Sequence, residues 1–341
     1  MEKSQKKSKM IKKKILIFAF IALLLLCPLV SALPLHVQAA TTSRAECVVE
    51  VSSRRFLHEI NANETLPMAS TTKILTALVI LSTENPDETV VIPKEAEGTE
   101  GSSVYLRAGD EYSVRDLLYG LMLRSGNDCA VTLALHHSGS IESFAEAMNK
   151  KAVSLGAIHS HFTNPHGLPD DNHYTTARDL SLIAAEAMEN EEFCKIVSCK
   201  YYEARGWKNK NKMLWNYDGA VGVKTGFTVK AGRCLVTAAE KEGMKIVSVV
   251  LNSPEMFERT AQLLDESFLN YSLVSLCKRG EWNGFFLKYD FIYPLTQAER
   301  EKINVLSEVD SVLPKYAGEI AGSMKIYLEN RLLFSQNLIM I

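Results

Sequence analysis

The hydrophobic pattern changes character several times along this chain. Residues 15–35, ILIFAFIALLLLCPLVSALPL, are one nearly unbroken apolar run behind a lysine-rich stretch from Lys3 to Lys14. In ECVVEVSSRRFLHEI two short runs flank Ser52-Ser53 and predict an opening hairpin. Residues 74–81, ILTALVIL, are apolar all round apart from one threonine, which predicts a helix from Ser70 running into the core. TVVIPKEA reads as a strand. Helical spacing through Leu117, Leu118, Leu121 and Met122 resumes at Ala130, Leu133 and Ala134, leaving Ser125-Gly126-Asn127 in a break between two helical segments. SIESFAEAMNKKAVSLG predicts an amphipathic helix with a Ser140-x-x-Ser143 start and a Gly156 stop, and TTARDLSLIAAEAMEN predicts another.

Further on, AVGVKTGFT, GRCLVTAAEKEG and MKIVSVVLN read as three strands, the last two joined at Lys241-Glu242-Gly243. SPEMFERTAQLLDESFLNYS predicts a helix opening with Ser253 as N-cap and Pro254 at the first helical position. Helices in the middle and strands towards both ends predict an α/β (α+β) domain around an antiparallel sheet. After about Val274 the chain turns to short strands, GFFLKYDFIYPL and GEIAGSMKIYLENRLLFSQNLI, a candidate small all-β domain.

Composition narrows the function. A chain of 341 residues that is 47% hydrophobic can bury a large core, and a formal net charge of −2 gives no basic footprint for nucleic acid. The basic stretch, the apolar run and the small residues Val37 and Ala39 predict a secretory signal over residues 1–40, cleaved near Ala39 or Ala40. The same run is about long enough, at roughly 20 residues, to stay as a membrane anchor. Either way the chain is expected to be exported, to the outer face of the cell membrane or beyond it. Cys27 lies in that run, and the other six cysteines are scattered without metal-ligand spacing, so mostly free thiols are expected.

Three clusters carry chemistry. Ser70 and Lys73 lie one turn apart at the mouth of the apolar helix. A serine there has its backbone N–H free at the positive end of the helix dipole, and a lysine beside it can act as a base if burial lowers its pKa. Ser125-Gly126-Asn127 offers a hydroxyl to relay a proton and an amide to hold a substrate. Lys224-Thr225-Gly226 offers a cation and a hydroxyl for a carboxylate, then a glycine that lets another backbone approach.

S-x-x-K, S-x-N and K-T-G in this order are the motif set of serine β-lactamases and penicillin-binding proteins. With LPMASTTKILTA, LMLRSGNDCA, FTNPHGLPDDNHYTTARDL and VGVKTGFTVKAGRCLV around them, residues 44–273 resemble the low-molecular-mass D-alanyl-D-alanine carboxypeptidases of the bacterial cell wall, peptidase family S11. The resemblance implies the penicillin-binding, serine β-lactamase-like transpeptidase fold over residues 41–273 and a shorter than usual β domain over 274–341. It implies that Ser70 attacks the carbonyl between two D-alanines of a peptidoglycan pentapeptide stem and that Lys73 takes the serine proton. Ser125 and Lys224 would relay a proton to the leaving amine, and Asn127 would hold the substrate amide and orient Lys73. Lys224 and Thr225 would bind the terminal carboxylate, with Gly226 beside them. The N–H groups of Ser70 and Phe227 would form the oxyanion hole. No metal or other cofactor is implied, and β-lactam antibiotics are the implied covalent inhibitors. Phe227 stands where family members often carry histidine. Many relatives end in an amphipathic membrane-binding helix; with none expected after SQNLIMI, either the N-terminal segment anchors the chain or it is released.

Several rival readings use the same residues. A D,D-endopeptidase acting on crosslinks needs the same cluster. A class A β-lactamase would carry its E-x-x-L-N motif between the second and third clusters, whereas Glu266 to Asn270 follows Lys224. A non-catalytic muropeptide-binding protein would be expected to lack Ser70, Lys73 or Lys224. The stretch HSHFTNPHGLPDDNH, with four histidines and two aspartates, resembles a metal site in composition, but in the family it is a loop near the active site. His58-Glu59 opens like a zinc-protease helix, but Ala62 stands where the second histidine belongs.

Overall fold

The computed structural model describes residues 43–341 apart from 313 and 315. The signal or anchor expected over residues 1–40, with Cys27, lies outside the described residues.

Five antiparallel strands form the central sheet, in the order Phe56–Ile60, Ala45–Glu50, Met244–Leu251, Gly232–Lys241, Ala220–Thr228. The two terminal runs of the sequence thus meet side by side, with Ala45 opposite Leu251 and Glu50 opposite Ile246. Alternate residues serve two cores. Cys47, Val49, Val236, Ala238, Val247 and Val249 face the helical cluster, while Val48, Leu235, Ala239, Ile246 and Val250 face Leu263 and Leu264 of the helix Met256–Asn270. Because both faces are covered, the inner strands are buried almost residue for residue rather than alternately. The turn between the last two strands puts Glu242 and Gly243 at φ 50° and 77°, the positive pair that a two-residue hairpin of matching twist requires.

The apolar helix Lys73–Thr83 is buried from Lys73 to Ile80, which explains its lack of a polar face. It follows a single tight turn, Ala69–Thr72, that carries Ser70. The next helical pair is interrupted as expected. Val114–Tyr119 passes into a wider turn, Gly120–Arg124, Ser125 takes a left-handed conformation at φ 65°, and Asn127–Ser138 begins afresh. Ser140 and Thr176 cap the helices Ile141–Ser154 and Ala177–Ala187 through their side chains.

Several boundaries differ from the sequence reading: the helix expected from Ser70 begins at Lys73, and the strand expected over TVVIPKEA ends at Val91. The last helix of this region begins at Met256, not at Ser253-Pro254, and has no side-chain cap. The Ser253 N–H is taken by the Arg233 carbonyl and its hydroxyl receives that of Ser43, so the sheet claims the residue before the helix can. A helix at Glu191–Ser198, capped by Asn190, lies where the sequence reading placed none.

The C-terminal region is all β apart from one short helical turn, Gln297–Arg300. Ser272–Cys277 pairs with Phe291–Leu295, and a second five-stranded sheet runs Gly280–Trp282, Phe285–Leu287, Arg331–Met340, Ile320–Leu328, Ile303–Val309. Its own small core contains Leu287, Met324, Ile326 and Leu338. Arg55, from the opening hairpin, reaches across to Glu299 and the Pro294 carbonyl and lies about 5 Å over the rings of Tyr271 and Tyr293. All six cysteines outside the N-terminal run are free.

Candidate active site

The site forms where the turn bearing Ser70, the break at 125–127 and the sheet-edge strand Ala220–Thr228 converge. Lys73 is wholly buried; its amine donates to Asn127 Oδ1 at 2.6 Å and the His166 carbonyl at 2.7 Å and lies 3.1 Å from Ser70 Oγ. All three oxygens are neutral, and no carboxylate forms an ion pair with this amine among the described residues. Burial, then the charge of Lys224, holds the Lys73 pKa well below that of a free lysine. Lys224 is buried too, donates to the Thr225 carbonyl at 2.7 Å, and is pushed down to about 7 by burial and by Lys210.

Backbone shape sets the nucleophile. Ala69 takes φ 50°, outside the usual range for a residue with a side chain. Two glycines make room for that turn. A Cβ on Gly226 would lie 2.9 Å from the Met68 carbonyl and 3.2 Å from the Ser70 nitrogen; one on Gly167 would lie 1.9 Å from the Ala69 carbonyl. The close approach expected at Gly226 is therefore to the Ser70 turn itself. Thr72 Oγ1 donates to the Ala69 carbonyl at 2.9 Å and lies 2.8 Å from His173 Nε2. Since His173 Nδ1 accepts from the Thr163 N–H at 3.0 Å, the proton sits on Nε2 and is donated to Thr72. Burial pushes His173 down to about 4, so the ring is neutral and the chain of bonds keeps its direction.

Asn127 is held at both ends. Its side-chain N–H donates to the Glu100 carbonyl at 2.5 Å, and its backbone N–H to the Ser102 carbonyl at 2.7 Å. Asp128, fully buried, accepts from the Ser103 hydroxyl and the N–H groups of Val104, Leu106 and Cys129, fixing the loop that Asn127 leans on. Ser125 is 5% exposed, and its hydroxyl makes no hydrogen bond among the described residues. Thr225 is half-buried on the strand beside it, whereas Phe227 is 65% exposed.

Ser70, Lys73 and Asn127 are thus joined by direct bonds, Gly226 abuts the Ser70 turn, and Lys224 acts on Lys73 through its charge. The sequence reading missed the carbonyls of His166 and Glu100, the Asp128 clasp, the Thr72–His173 pair and the influence of Lys210. The histidine-rich stretch does not gather its rings around one point. His161 bonds the Asn172 carbonyl, His166 accepts from the Leu168 N–H, His173 serves Thr72, and His159 lies 3.8 Å from Asp179. Its backbone forms one wall of the site through the His166 carbonyl.

This cluster of a half-buried serine with a buried lysine and asparagine, against an antiparallel sheet, is that of a penicillin-binding serine peptidase. Residues 34–255 match the family described as D-alanyl-D-alanine carboxypeptidase, peptidase S11, and the chain belongs to that family. It is 33% identical over 259 residues to D-alanyl-D-alanine carboxypeptidase DacF of Bacillus subtilis, covering 72% of this chain and 67% of that one. It is 40% identical over 208 residues to D-alanyl-D-alanine carboxypeptidase of Streptomyces sp. strain K15, covering 54% of this chain and 72% of that one. Among solved structures, penicillin binding protein 5 from Haemophilus influenzae superposes with a TM-score of 0.74 at 28% identity, over 88% of this chain and 97% of that one. The expected fold, with its C-terminal all-β region, is thereby borne out.

Proposed function

We propose that this chain removes the C-terminal D-alanine from peptidoglycan pentapeptide stems through an acyl-enzyme on Ser70. The observation that carries this is the Lys73 amine, wholly buried, without a carboxylate partner among the described residues and 3.1 Å from Ser70 Oγ. A lysine so placed is neutral at a pH where free lysine is charged, and so can take the serine proton as Oγ attacks the carbonyl between the two D-alanines. Asn127 holds Lys73 through Oδ1 and receives the substrate amide. Lys224 and Thr225 bind the terminal carboxylate beside Gly226. Ser125, with Lys224, passes a proton to the leaving D-alanine amine. The N–H groups of Ser70 and Phe227 stabilise the oxyanion. Water then releases the shortened peptide, and β-lactams acylate Ser70 in place of the substrate. Phe227, where a histidine is frequent in relatives, contributes its N–H to this scheme and presents an apolar ring at the rim.

The catalytic unit is residues 41–273, followed by a small β domain over 274–341. Residues 1–40 direct export, so the enzyme works on the wall outside the cytoplasm, released or tethered to the membrane by that segment.

The test is free D-alanine released from an acyl-lysyl-D-Ala-D-Ala peptide, with Ser70→Ala as control. Serine-dependent release that penicillin abolishes is the expected result. Release that persists in Ser70→Ala, or is untouched by penicillin, overturns the proposal.

A further inference from the structure

Away from the active site, Glu84, Glu88 and His136 bring three ligand atoms within 4.8 Å of one another. Glu84 is the residue that ends the helix Lys73–Thr83, and His136 lies in the last turn of the helix Asn127–Ser138. Glu88 closes the turn after Glu84, with its N–H on the Asn85 carbonyl. His136 Nε2 is sealed from solvent and has no hydrogen-bond partner among the described residues. It points between two carboxylates, 3.5 Å from Glu84 Oε2 and 3.7 Å from Glu88 Oε1. Those gaps are too long for a charge-assisted hydrogen bond, which closes to about 2.7–2.9 Å.

They are close to the spacing of ligands on a shared ion. Ligands about 2.0–2.2 Å from a tetrahedral zinc lie about 3.3–3.6 Å apart. We propose that Glu84, Glu88 and His136 bind a divalent transition-metal ion of the zinc class, with water completing the shell. One imidazole nitrogen and two carboxylate oxygens are borderline donors, which favours zinc over magnesium or calcium. Glu84 Oε1 accepts from the Thr83 hydroxyl at 3.2 Å, leaving Oε2 for the ion, and the turn fixes the backbone of Glu88. A cleft lined by Val90, Pro93, Thr132, Leu135 and His136 opens beside the ring.

The helices that this ion joins are the two that present Lys73 and Asn127, whose 2.6 Å bond lies at their opposite ends. At 1.5 Å per residue the ion sits roughly 15 Å from the chemistry, so it acts as a clamp on the scaffold and not as a reactant.

Zinc binding to the full-length chain, stripped with chelator, would be measured by competition with a chromophoric chelator. Wild type would be compared with His136→Gln and Glu88→Gln, and penicillin acylation of Ser70 would verify folding in each. Wild type should bind one zinc ion per chain and melt roughly 5 °C higher with saturating zinc. Each variant should bind it at least about 10-fold more weakly and lose that shift. Zinc binding or a thermal shift unchanged in either folded variant would place the ion elsewhere, for instance on the free thiols. No binding by wild type would leave a simple histidine–carboxylate pair. Either result overturns the proposal.

Discussion

Two clusters of buried charge sit in the same domain and are built in opposite ways. In the sheet, Glu46 is 2% exposed, and Arg259 grips it with two hydrogen bonds at 2.7 and 2.8 Å while His58 adds a third contact at 3.1 Å. Burial raises its pKa, yet the hydrogen bonds from Arg259 and His58 outweigh that and hold it at about 2. In the active site, Lys73 and Lys224 are as deeply buried, but their amines meet neutral oxygens and the field of a second lysine, Lys224 for Lys73 and Lys210 for Lys224. The first cluster keeps its charge by pairing. The second is arranged to lose it. Leaving an amine unpaired in the core destabilises the fold, and in the proposed mechanism it gives a base that is neutral where a free lysine is still charged.

The largest effect expected from this contrast is on chemistry. Lys73→Met should slow acylation of Ser70 by penicillin by roughly 10³–10⁴-fold, measured by stopped-flow, while leaving the melting temperature unchanged or higher. Next, Glu46→Ala should strand Arg259 and destabilise the fold by about 3–5 kcal/mol in a denaturant titration, with little change in acylation rate below the melt. Its acid counterpart has a defined sign. Glu46 binds a proton more readily unfolded, near 4.5, than folded, near 2, so its contribution is present above 4.5 and disappears as pH falls towards 2.

Lys224 should show the reverse linkage. The unfolded chain holds the Lys224 proton up to about 10.5 and the folded chain only to about 7, so burying it destabilises fully below 7, and stability recovers as pH rises from 7 to 10.5. Lys224→Met should therefore raise stability at pH 6 by roughly 1–4 kcal/mol, less at pH 10, while abolishing D-alanine release. The smallest expected effect is at the hinge of the nucleophile turn. His173→Ala removes the donor to Thr72 and should cost about 1–2 kcal/mol of stability with a several-fold loss in acylation rate, and His173→Gln should restore part of both.

The two clusters also differed in how far the sequence disclosed them. Ser70, Lys73, Asn127 and Lys224 lie in short local motifs whose residue types already state a chemistry, and Gly226 was legible because a glycine after a cation on a strand implies a close approach. The central sheet was legible because its strands are short apolar runs bounded by turn residues. Glu46, His58 and Arg259 carry no such mark. Their partnership spans 213 residues and exists only once Ala45–Glu50 lies beside Met244–Leu251. The same holds for Thr72 with His173, 101 residues apart, and for Asp128, which reads as an ordinary first-turn acid until the loop at 103–106 folds over it. Ser253-Pro254 misled for a related reason, since a good local cap was outbid by a sheet contact.

The central claim is that Lys73 works as a neutral base because it is buried without a counter-charge. Its most direct test is the pH dependence of the second-order rate of Ser70 acylation by penicillin. The rate should fall about tenfold for each pH unit below the depressed Lys73 pKa, and that limb should lie far below 10.5. A rate that is flat on the acid side, or that rises only as pH approaches 10.5, would contradict it.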